Sequence, residues 1–405
     1  MREKIRRYLC LFILFFFRLR YEVKAIGAEN IETDKGVLLL GNHVSWIDWA
    51  FVQIAYPKCI EFVMHKEIYE LKFHRKFLNF MGVIPLSIKA PKNALREIRK
   101  ALSEKKSVCI FPEGTISYNS QMGILKKGYE KAVKGVKEGV IIPFYIKGIF
   151  YSRFSRSDRK KSSLFRRKVA VVFGEALPLD TKTSVLRRKI HSLSLEAERY
   201  LYAKESLLKR ERRRILEVLN PSFSSAFASV CDKEEFINEI FINSKEKFYP
   251  LYNETPLDAA KFLVKKEISY LFADEKFLKA CVLNKNIHPL MLSTLKYIIT
   301  FDKVSPSLIN EFEDKFKKIL YTGFKTKEIP FVSLNLPDVL ETGYFKIQKG
   351  YKKGSVGMPL PGVEVREENG KIYARSSVNF KWIDTKERGF LDEEGFLFIE
   401  RERFF

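Results

Sequence analysis

A chain of 405 residues exceeds the size that one hydrophobic core usually supports, which predicts two domains. Its 46% apolar content and 35 Phe exclude a wholly disordered chain, because they supply ample material for packed cores. The net charge of +24 is concentrated in residues 1–200, which hold 39 Lys and Arg against 19 Asp and Glu. This asymmetry predicts an anionic partner for the first half: nucleic acid, an anionic membrane surface or an acidic protein.

The five cysteines are scattered along the chain, without a close pair or a metal-like spacing. Their odd number and wide spacing argue against a disulfide framework, and a reducing cytoplasmic compartment suits them best. We expect no metal site.

The N-terminal segment combines a basic start with an apolar run from Tyr8 to Phe17. Ten residues of helix reach about 15 Å, roughly half of a bilayer core, so this run is too short to cross a membrane. A signal peptide has a similar pattern, but Arg18 and Arg20 follow in place of the small residues of a cleavage site. We prefer an uncleaved membrane-interfacial anchor over residues 1–20, and a buried core helix is the other alternative.

Strands and helices alternate through the first half. Apolar runs predict strands at 36–40, 107–111, 140–146 and 168–173, and amphipathic spacing predicts helices at 91–106 and 126–138. This order predicts an α/β fold with a mixed, largely parallel sheet. His43 and Glu113 then follow the ends of two strands, where open α/β sheets bind their ligands, so the two could share one pocket.

The domain boundary is expected where the composition changes. Residues 185–219 predict one long charged helix, which Asn220 and Pro221 end. We therefore expect a first domain at 21–204, the end of a linker helix at 205–221 and a second domain at 222–405.

The segment Asn42-His43-Val44-Ser45-Trp46-Ile47-Asp48 places a carboxylate five residues after a histidine. Acyl transfer to an alcohol needs a base that removes the hydroxyl proton, and histidine suits this near neutral pH. A carboxylate on the far nitrogen fixes the tautomer of the ring. The alternative is that Asp48 only caps a helix and His43 is a polar turn residue.

A second segment, Phe111-Pro112-Glu113-Gly114-Thr115-Ile116-Ser117, follows a predicted strand, and two stretches that end in Ile-Pro, 82–85 and 140–143, flank it. With the His43 segment, this ordered set resembles the four sequence blocks of the glycerolipid acyltransferases, also called the PlsC-like family. The resemblance covers about residues 20–180 and implies the glycerolipid acyltransferase fold.

The resemblance implies roles for individual residues. His43 would be the general base and Asp48 its partner, and the segment of Glu113 and Gly114 would help to bind the acyl acceptor. The other predicted substrate-binding residues are Asn42, Thr115, Ser117 and Lys89. The acceptor would be a lysophospholipid, and the donor would be a thioester of acyl carrier protein or coenzyme A. Neither a cofactor nor a serine nucleophile is implied.

Two positions depart from the family pattern. Members that act on phosphomonoesters usually carry Arg where this chain has Ile116, and often Arg near Ile88, where Lys89 is the nearest cation. A bidentate Arg suits a terminal phosphate particularly well. Its absence favours a phosphodiester acceptor of the lysophosphatidylethanolamine type, and lysophosphatidate is the alternative.

A basic and aromatic cluster lies between Lys147 and Lys168, where nine Lys and Arg stand against Asp158 alone. Anionic lipid head groups are the preferred partners of this cluster, ahead of acyl-carrier docking, a solvated loop and nucleic acid. The residues predicted to contact lipid are Arg153, Arg156, Lys160, Lys161, Arg166 and Arg167. We expect a peripheral or monotopic protein on the cytoplasmic face of the cell membrane, without a nucleic-acid partner.

Residues 290–399 carry a second resemblance. The segments at 354–365 and 389–397 resemble the later part of an AMP-forming acyl-activating domain. The order of the two domains is that of the bifunctional acyl-ACP synthetase/2-acylglycerophosphoethanolamine acyltransferases, which also implies a lysophospholipid acceptor.

The activating chemistry is expected to be missing from this second half. The phosphate-binding loop that ends in Lys has no counterpart, Glu387 stands where the family has its ribose-binding Asp, and the chain ends at Phe405, before the subdomain with the catalytic Lys. An α+β remnant without catalysis is therefore predicted. For the whole chain, the rival interpretation is a non-catalytic lipid- or acyl-carrier-binding module.

Overall fold

The computed structural model describes residues 2–31, 34–70, 75–160, 166–242, 244–341 and 346–400. The chain forms two compact units, residues 1–203 and 204–405.

The first unit consists of seven strands and seven α-helices in its described part. In chain order they are α1 (Arg2–Arg20), β1 (Tyr21–Ile26), β2 (Val37–Gly41), α2 (Asp48–Ala55), β3 (Ile60–His65), α3 (Lys66–Tyr69), α4 (Arg75–Phe80), β4 (Ile84–Leu86), α5 (Lys92–Ser103), β5 (Ser107–Ile110), α6 (Gly128–Val133), β6 (Val140–Lys147), β7 (Arg167–Phe173) and α7 (Thr183–Tyr202).

The strands of this unit form one sheet in the order β1-β7-β6-β2-β5-β3-β4. The five strands from β6 to β4 are parallel, and β7 runs antiparallel to β6 with β1 parallel to it. The sheet is therefore mixed and largely parallel, and the α/β prediction is confirmed. Leu40 pairs with Ile110, so β2 and β5 end at the same edge, and the segments of His43 and Glu113 leave the sheet side by side.

Helix α5 shows why the sequence pattern was informative. Ala94, Ile98, Ala101 and Leu102 are buried against the sheet, and most of the charged positions between them are exposed. The predicted helix at 126–138 is shorter in the structure, because α6 ends at Val133. Gly135 lies just beyond it with φ of +89°, a backbone conformation that does not continue a right-handed helix.

Helix α1 is apolar on two sides. Cys10 and Leu14 pack against Ala50 of α2, whereas seven large apolar side chains are exposed: Ile5, Tyr8, Leu11, Phe12, Phe15, Phe16 and Leu19. Within the described ranges, no helix has the length and apolar character needed to span a bilayer.

The predicted helix at 185–219 is two helices in the structure. Helix α7 ends at Tyr202, and α8 spans Leu207–Leu219. Leu186 and Ile190 of α7 pack in the core of the first unit, whereas Ile215 and Leu219 of α8 pack in the second. The amphipathic periodicity of the sequence continues through this break. It therefore did not reveal that the two helices pack in different cores. The segment 205–221, expected to be the end of a linker helix, therefore contains a separate helix that packs in the second core.

The second unit contains five α-helices and thirteen strands in its described part. They are α8, β8 (Ala226–Ser229), α9 (Phe236–Ile242), β9 (Lys247–Pro250), α10 (Pro256–Lys265), β10 (Tyr270–Phe272), α11 (Glu275–Leu283), β11 (Tyr297–Thr300), α12 (Pro306–Phe316), β12 (Leu320–Phe324), β13 (Ser333–Leu334), β14 (Val339–Glu341), β15 (Lys346–Gln348), β16 (Met358–Pro359), β17 (Val363–Glu368), β18 (Lys371–Ser376), β19 (Ile383–Leu391) and β20 (Leu397–Ile399).

One seven-stranded sheet organises this unit, in the order β16-β13-β12-β11-β10-β8-β9. The strands from β9 to β12 are parallel, as expected where helices alternate with strands. An antiparallel sheet of β17, β18, β19 and β20 follows, together with the two-stranded β14–β15 ribbon.

The charged run in α8 is partly internal. Arg214 is 1% exposed and donates to the carbonyl oxygen of Pro361 (2.9 Å), to Ser377 Oγ (3.0 Å) and to Glu211 Oε1 (2.5 Å). A buried guanidinium needs such partners, because an unpaired charge in a core is strongly destabilising.

Candidate active site

His43 and Asp48 meet at the end of β2. His43 lies just beyond the last residue of the strand, and Asp48 is the first residue of α2. His43 Nδ1 lies 2.9 Å from Asp48 Oδ2, and the Asp48 side chain is fully buried while that of His43 is 21% exposed. The histidine is therefore positioned by an internal carboxylate and remains accessible from outside.

The Asp48 carboxylate accepts from three donors besides His43. The backbone N–H groups of Val44 and Ser45 lie 2.7 and 2.9 Å from Oδ2, and Ser45 Oγ lies 2.5 Å from Oδ1. All of these donors precede Asp48, and its side chain does not cap α2. The short loop thus folds around the Asp48 carboxylate, and its hydrogen bonds hold the carboxylate in the position where it contacts the imidazole.

This arrangement selects one tautomer of His43. When Nδ1–H donates to Asp48, Nε2 carries the lone pair that can accept a proton. The ring of Phe111 stacks on the imidazole, with centroids 4.2 Å apart and an angle of 18° between the planes. Among the described residues, Nε2 has no hydrogen-bond partner. The ring is therefore held by one edge and one face, and its basic nitrogen is available.

Glu113 binds the backbone on both sides of the site. One carboxylate oxygen accepts from the N–H of His43 (2.7 Å), and the other accepts from the N–H of Gly123 (2.7 Å). The residue is 4% exposed. Burial raises the pKa of Glu113 from 4.5 to about 7, against the opposing effects of these two N–H donors and of the nearby Arg187 charge. Since its oxygens are engaged by the backbone, Glu113 holds the His43 loop in place.

The turn after β5 completes this edge of the site. Gly114 has φ of +66°, which favours glycine, and a Cβ there would lie 2.8 Å from Lys126 Nζ. Thr115 is half-buried. Ser117 is buried; its N–H donates to the carbonyl oxygen of His43 (2.8 Å) and its Oγ to that of Gln121 (2.8 Å). Gly114 and Thr115 thus remain the more accessible part of the predicted acceptor-binding segment.

Asn42 connects the His43 loop to the neighbouring strand β6. Its side-chain amide donates to the carbonyl oxygen of Ile146 (3.0 Å) and accepts from the N–H of the same residue (2.7 Å). Asn42 is 1% exposed. Its side chain thus continues the hydrogen bonding between β2 and β6 beyond Gly41, the last paired residue of β2. Its predicted contact with substrate stays a prediction.

The two positions that depart from the family pattern differ in exposure. Ile116 is 2% exposed, so an arginine at this position would be buried. Ile88 is 58% exposed, and Lys89 beside it is exposed too, in the segment after β4.

The predicted lipid-contacting cations do not form one uniform surface. Arg153, Lys160 and Arg166 are exposed, and Arg166 also donates to the carbonyl oxygens of Arg18 (2.5 Å) and Tyr21 (3.2 Å). Arg167 is half-buried and donates to the carbonyl oxygen of Phe150 (3.2 Å), and burial lowers the pKa of its guanidinium. Lys161 lies outside the described residues.

Arg156 occupies a different place from the rest of that cluster. Its guanidinium lies over the rings of Trp46, at 5.6 Å, and Tyr118, at 4.7 Å. Trp46 belongs to the loop between His43 and Asp48, and Tyr118 follows Ser117. The structure therefore brings Arg156 to the His43 site, which its position in a basic stretch did not predict.

Several site residues were missed by sequence reasoning. Ser45 lies inside the recognised motif, and a serine three residues before an aspartate could have been read as a hydroxyl partner of its carboxylate. Phe111 adjoins the second motif, but nothing in the sequence indicates that its ring stacks on His43. Arg187 on α7 had no sequence signal, since only the fold brings it near Glu113.

Comparison with known proteins finds similarity in the part of the chain that holds this site. Residues 22–147 match the protein-family model described as Acyltransferase. The chain is also similar to the chloroplastic 1-acyl-sn-glycerol-3-phosphate acyltransferase LPAT1 of Arabidopsis thaliana, with 28% identity over 133 residues. This match covers 32% of the chain and spans 36% of the length of that relative.

Two solved structures are among those similar to the chain. The acyltransferase PlsC from Thermotoga maritima covers 51% of this chain and 85% of its own, with 23% identity and a TM-score of 0.40. The amide bond synthetase McbA from Marinactinospora thermotolerans covers 92% of this chain and 70% of its own, with 13% identity and a TM-score of 0.37.

Glu387, the residue that stands for the ribose-binding Asp in the second unit, has a cationic neighbour. Lys303 Nζ lies 2.6 Å from Glu387 Oε1, and the Glu387 side chain is 17% exposed. This carboxylate is thus already ion-paired.

Replacing Glu113 with Gln is expected to change how stability depends on pH. The folded pKa of about 7 lies above the ordinary 4.5, so between these values the folded protein binds more protons at Glu113 than the unfolded chain does. The free energy of unfolding of the wild type should therefore fall, relative to Glu113→Gln, as pH rises through this window, by at most about 1.4 kcal/mol per pH unit. Urea unfolding at half-unit pH intervals measures this difference.

Exposed Glu97 on α5 provides the control for this measurement, and Glu97→Gln should follow the wild type. If the curves of wild type and Glu113→Gln run parallel from pH 4.5 to 7, Glu113 titrates in the folded protein much as it does in the unfolded chain.

Proposed function

We propose that the first unit transfers an acyl group from a thioester to the free hydroxyl of a lysoglycerophospholipid. The observation that carries this proposal is the His43–Asp48 pair, in which a fully buried carboxylate orients an accessible imidazole. Its position inside the region that matches the Acyltransferase family model and the name of the Arabidopsis relative support the same reaction.

The geometry suggests how the reaction proceeds. His43 Nε2 removes the proton from the acceptor hydroxyl while the hydroxyl oxygen attacks the thioester carbonyl carbon. The Asp48 carboxylate stabilises the imidazolium that forms, through its bond to Nδ1. The new C–O bond remains when the C–S bond breaks, and the imidazolium returns its proton to the departing thiolate. Direct attack of this kind requires neither a metal nor a covalent enzyme intermediate.

The acceptor that we favour is a phosphodiester of the lysophosphatidylethanolamine type. The two positions at which phosphomonoester-specific members usually carry Arg are Ile116 and Ile88, and neither supplies a cation. Lysophosphatidate is the second candidate, and the name of the Arabidopsis relative supports it. The donor is proposed to be acyl-ACP or acyl-CoA.

A non-catalytic lipid- or carrier-binding module is the rival function. Decay of catalysis would relax the need for an ordered proton-transfer pair, yet four donors still surround the Asp48 carboxylate. This retained geometry supports the enzyme.

A peripheral position on the cytoplasmic face of the membrane is also proposed. The exposed face of α1 carries Phe12 and Phe16 at 62% and 55% exposure, which is unusual for large aromatic side chains unless another phase covers them. Arg153 and Lys160 are exposed cations that can add attraction to anionic head groups.

His43→Ala is expected to lower kcat at least about 10³-fold, because the base is lost while the fold is retained. Asp48→Asn should leave a larger residual rate, since an imidazole is still present but is no longer held by a carboxylate. Initial rates with radiolabelled acyl donor and a lysophospholipid measure both effects.

His65 is the matched control for this experiment. Its Nδ1 also lies 2.9 Å from a carboxylate, that of Glu67, but this partner is exposed. His65→Ala should therefore retain wild-type turnover. Near-normal turnover in His43→Ala would reject the mechanism, and absence of turnover in the wild type with every acceptor would favour the non-catalytic module.

Lysophosphatidylethanolamine is expected to give a higher kcat/KM than lysophosphatidate, because a terminal dianion lacks its usual bidentate partners here. Ile88→Arg, at an exposed position, should shift the ratio towards lysophosphatidate. Competition between the two acceptors in one assay measures the ratio directly. A tenfold preference of the wild type for lysophosphatidate would show that the acceptor is the one named in the Arabidopsis relative.

Replacing both Phe12 and Phe16 by Asp is expected to reduce vesicle binding at least about 100-fold, since each exposed Phe contributes about 1.5–3 kcal/mol when it leaves water. Co-sedimentation with vesicles of phosphatidylethanolamine and phosphatidylglycerol measures this. Phe223→Asp, at a 65% exposed phenylalanine of the second unit, is the control and should bind like the wild type. Equal binding of all three proteins would contradict the role of α1.

A further inference from the structure

We propose that Arg156 binds the phosphate of the acyl acceptor and so replaces the arginine that the family carries at the position of Ile116. This inference rests on the proposed function. It assigns to Arg156 a contact inside the acyl-transfer site, in place of the general attraction to a lipid surface that its sequence context predicted.

The first support is the way in which Arg156 is attached to the His43 loop. The N–H of Trp46 donates to the carbonyl oxygen of Phe154 (3.0 Å), and Ser45 and Ser155 form an antiparallel bridge. The segment before Arg156 is thus paired directly with the loop that positions Asp48. Its location relative to the imidazole is set by backbone bonds and does not depend on a flexible surface loop.

The second support is the aromatic setting of the guanidinium. Trp46 and Tyr118 contact it from two different segments, one after β2 and one after β5. These are the two segments that supply His43 and Glu113. Aromatic faces hold a guanidinium in position at this point between the two segments.

The third support comes from the shape of the acceptor. In a lysoglycerophospholipid only the glycerol backbone separates the free hydroxyl from the phosphate. When the hydroxyl lies at His43 Nε2, the phosphate must therefore lie beside the residues that surround His43. Arg156 contacts residues of both segments there, and a guanidinium can donate two parallel N–H bonds to phosphate oxygens.

The buried position of Ile116 explains why the cation comes from elsewhere. At 2% exposure this side chain belongs to the interior, where a guanidinium would lose its hydration without a built partner. Lys126, whose Nζ lies near Gly114, is another cation at this edge.

Steady-state kinetics of the full chain test the proposal, with a short-chain, water-soluble lysophosphatidylethanolamine so that membrane binding does not contribute. Arg156→Gln should lower kcat/KM for the acceptor about 10- to 100-fold, the loss expected for a hydrogen bond to a charged group. The KM for the acyl donor should stay within about twofold of the wild type. Arg156→Lys, which keeps the charge without the planar fork, should recover part of the loss.

Arg96→Gln is the matched control, because it removes an exposed arginine of the same unit, on α5. It should change the acceptor kcat/KM by less than about twofold, since it does not contact the site. Trp46→Phe keeps an aromatic face and should cost less than Trp46→Ala. Thermal unfolding of each variant verifies that it is folded, and Arg156→Lys and Trp46→Ala test the proposal if Arg156→Gln is not.

The alternative outcomes are distinct. Equal losses in Arg96→Gln and Arg156→Gln would assign the effect to general surface charge, and a raised KM for the donor alone would assign Arg156 to the phosphates of the donor. The proposal would be overturned if Arg156→Gln left kcat/KM for the acceptor unchanged, or if only Lys126→Gln lowered it. Either result would leave the acyl-transfer function intact. A wild type without turnover would reject both.

Discussion

Two carboxylates with almost no contact with solvent hold the backbone around His43. Asp48 accepts hydrogen bonds from the N–H groups of Val44 and Ser45, and Glu113 accepts one from the N–H of His43 itself. A buried carboxylate is costly unless donors surround it, so the backbone must converge on each of these side chains. The position of the imidazole thus follows from the requirement to satisfy two internal anions, and the substrate does not have to organise it.

Much of this site could be predicted because its parts repeat short, local rules. An apolar strand followed by His43 and a carboxylate five residues later is a local pattern, and α5 revealed its buried face through the spacing of Ala94, Ile98 and Ala101. The meeting of His43 with Glu113 followed from the expectation that parallel strands end at one edge.

What could not be predicted depends on the register of distant strands. Arg156 approaches Trp46 only because the chain after β6 folds back along the loop after β2, and no local pattern specifies that path. The division of residues 185–219 into α7 and α8 has the same origin, since two separate cores compete for one continuous amphipathic pattern. In the second unit, the ion pair of Lys303 with Glu387 joins residues far apart in sequence. Its proposed lack of catalysis remains consistent with a carboxylate engaged in this way.

The edge of the first sheet has a consequence for how the protein is made. Strand β1 pairs with β7 in a register that joins Tyr21 to Arg167, so a strand synthesised early must wait for the last strand of its unit. At a typical rate of translation this delay is on the order of ten seconds. The first unit therefore passes through a long stage of synthesis in which β1 is an unpaired edge, and unpaired strand edges are prone to aggregation.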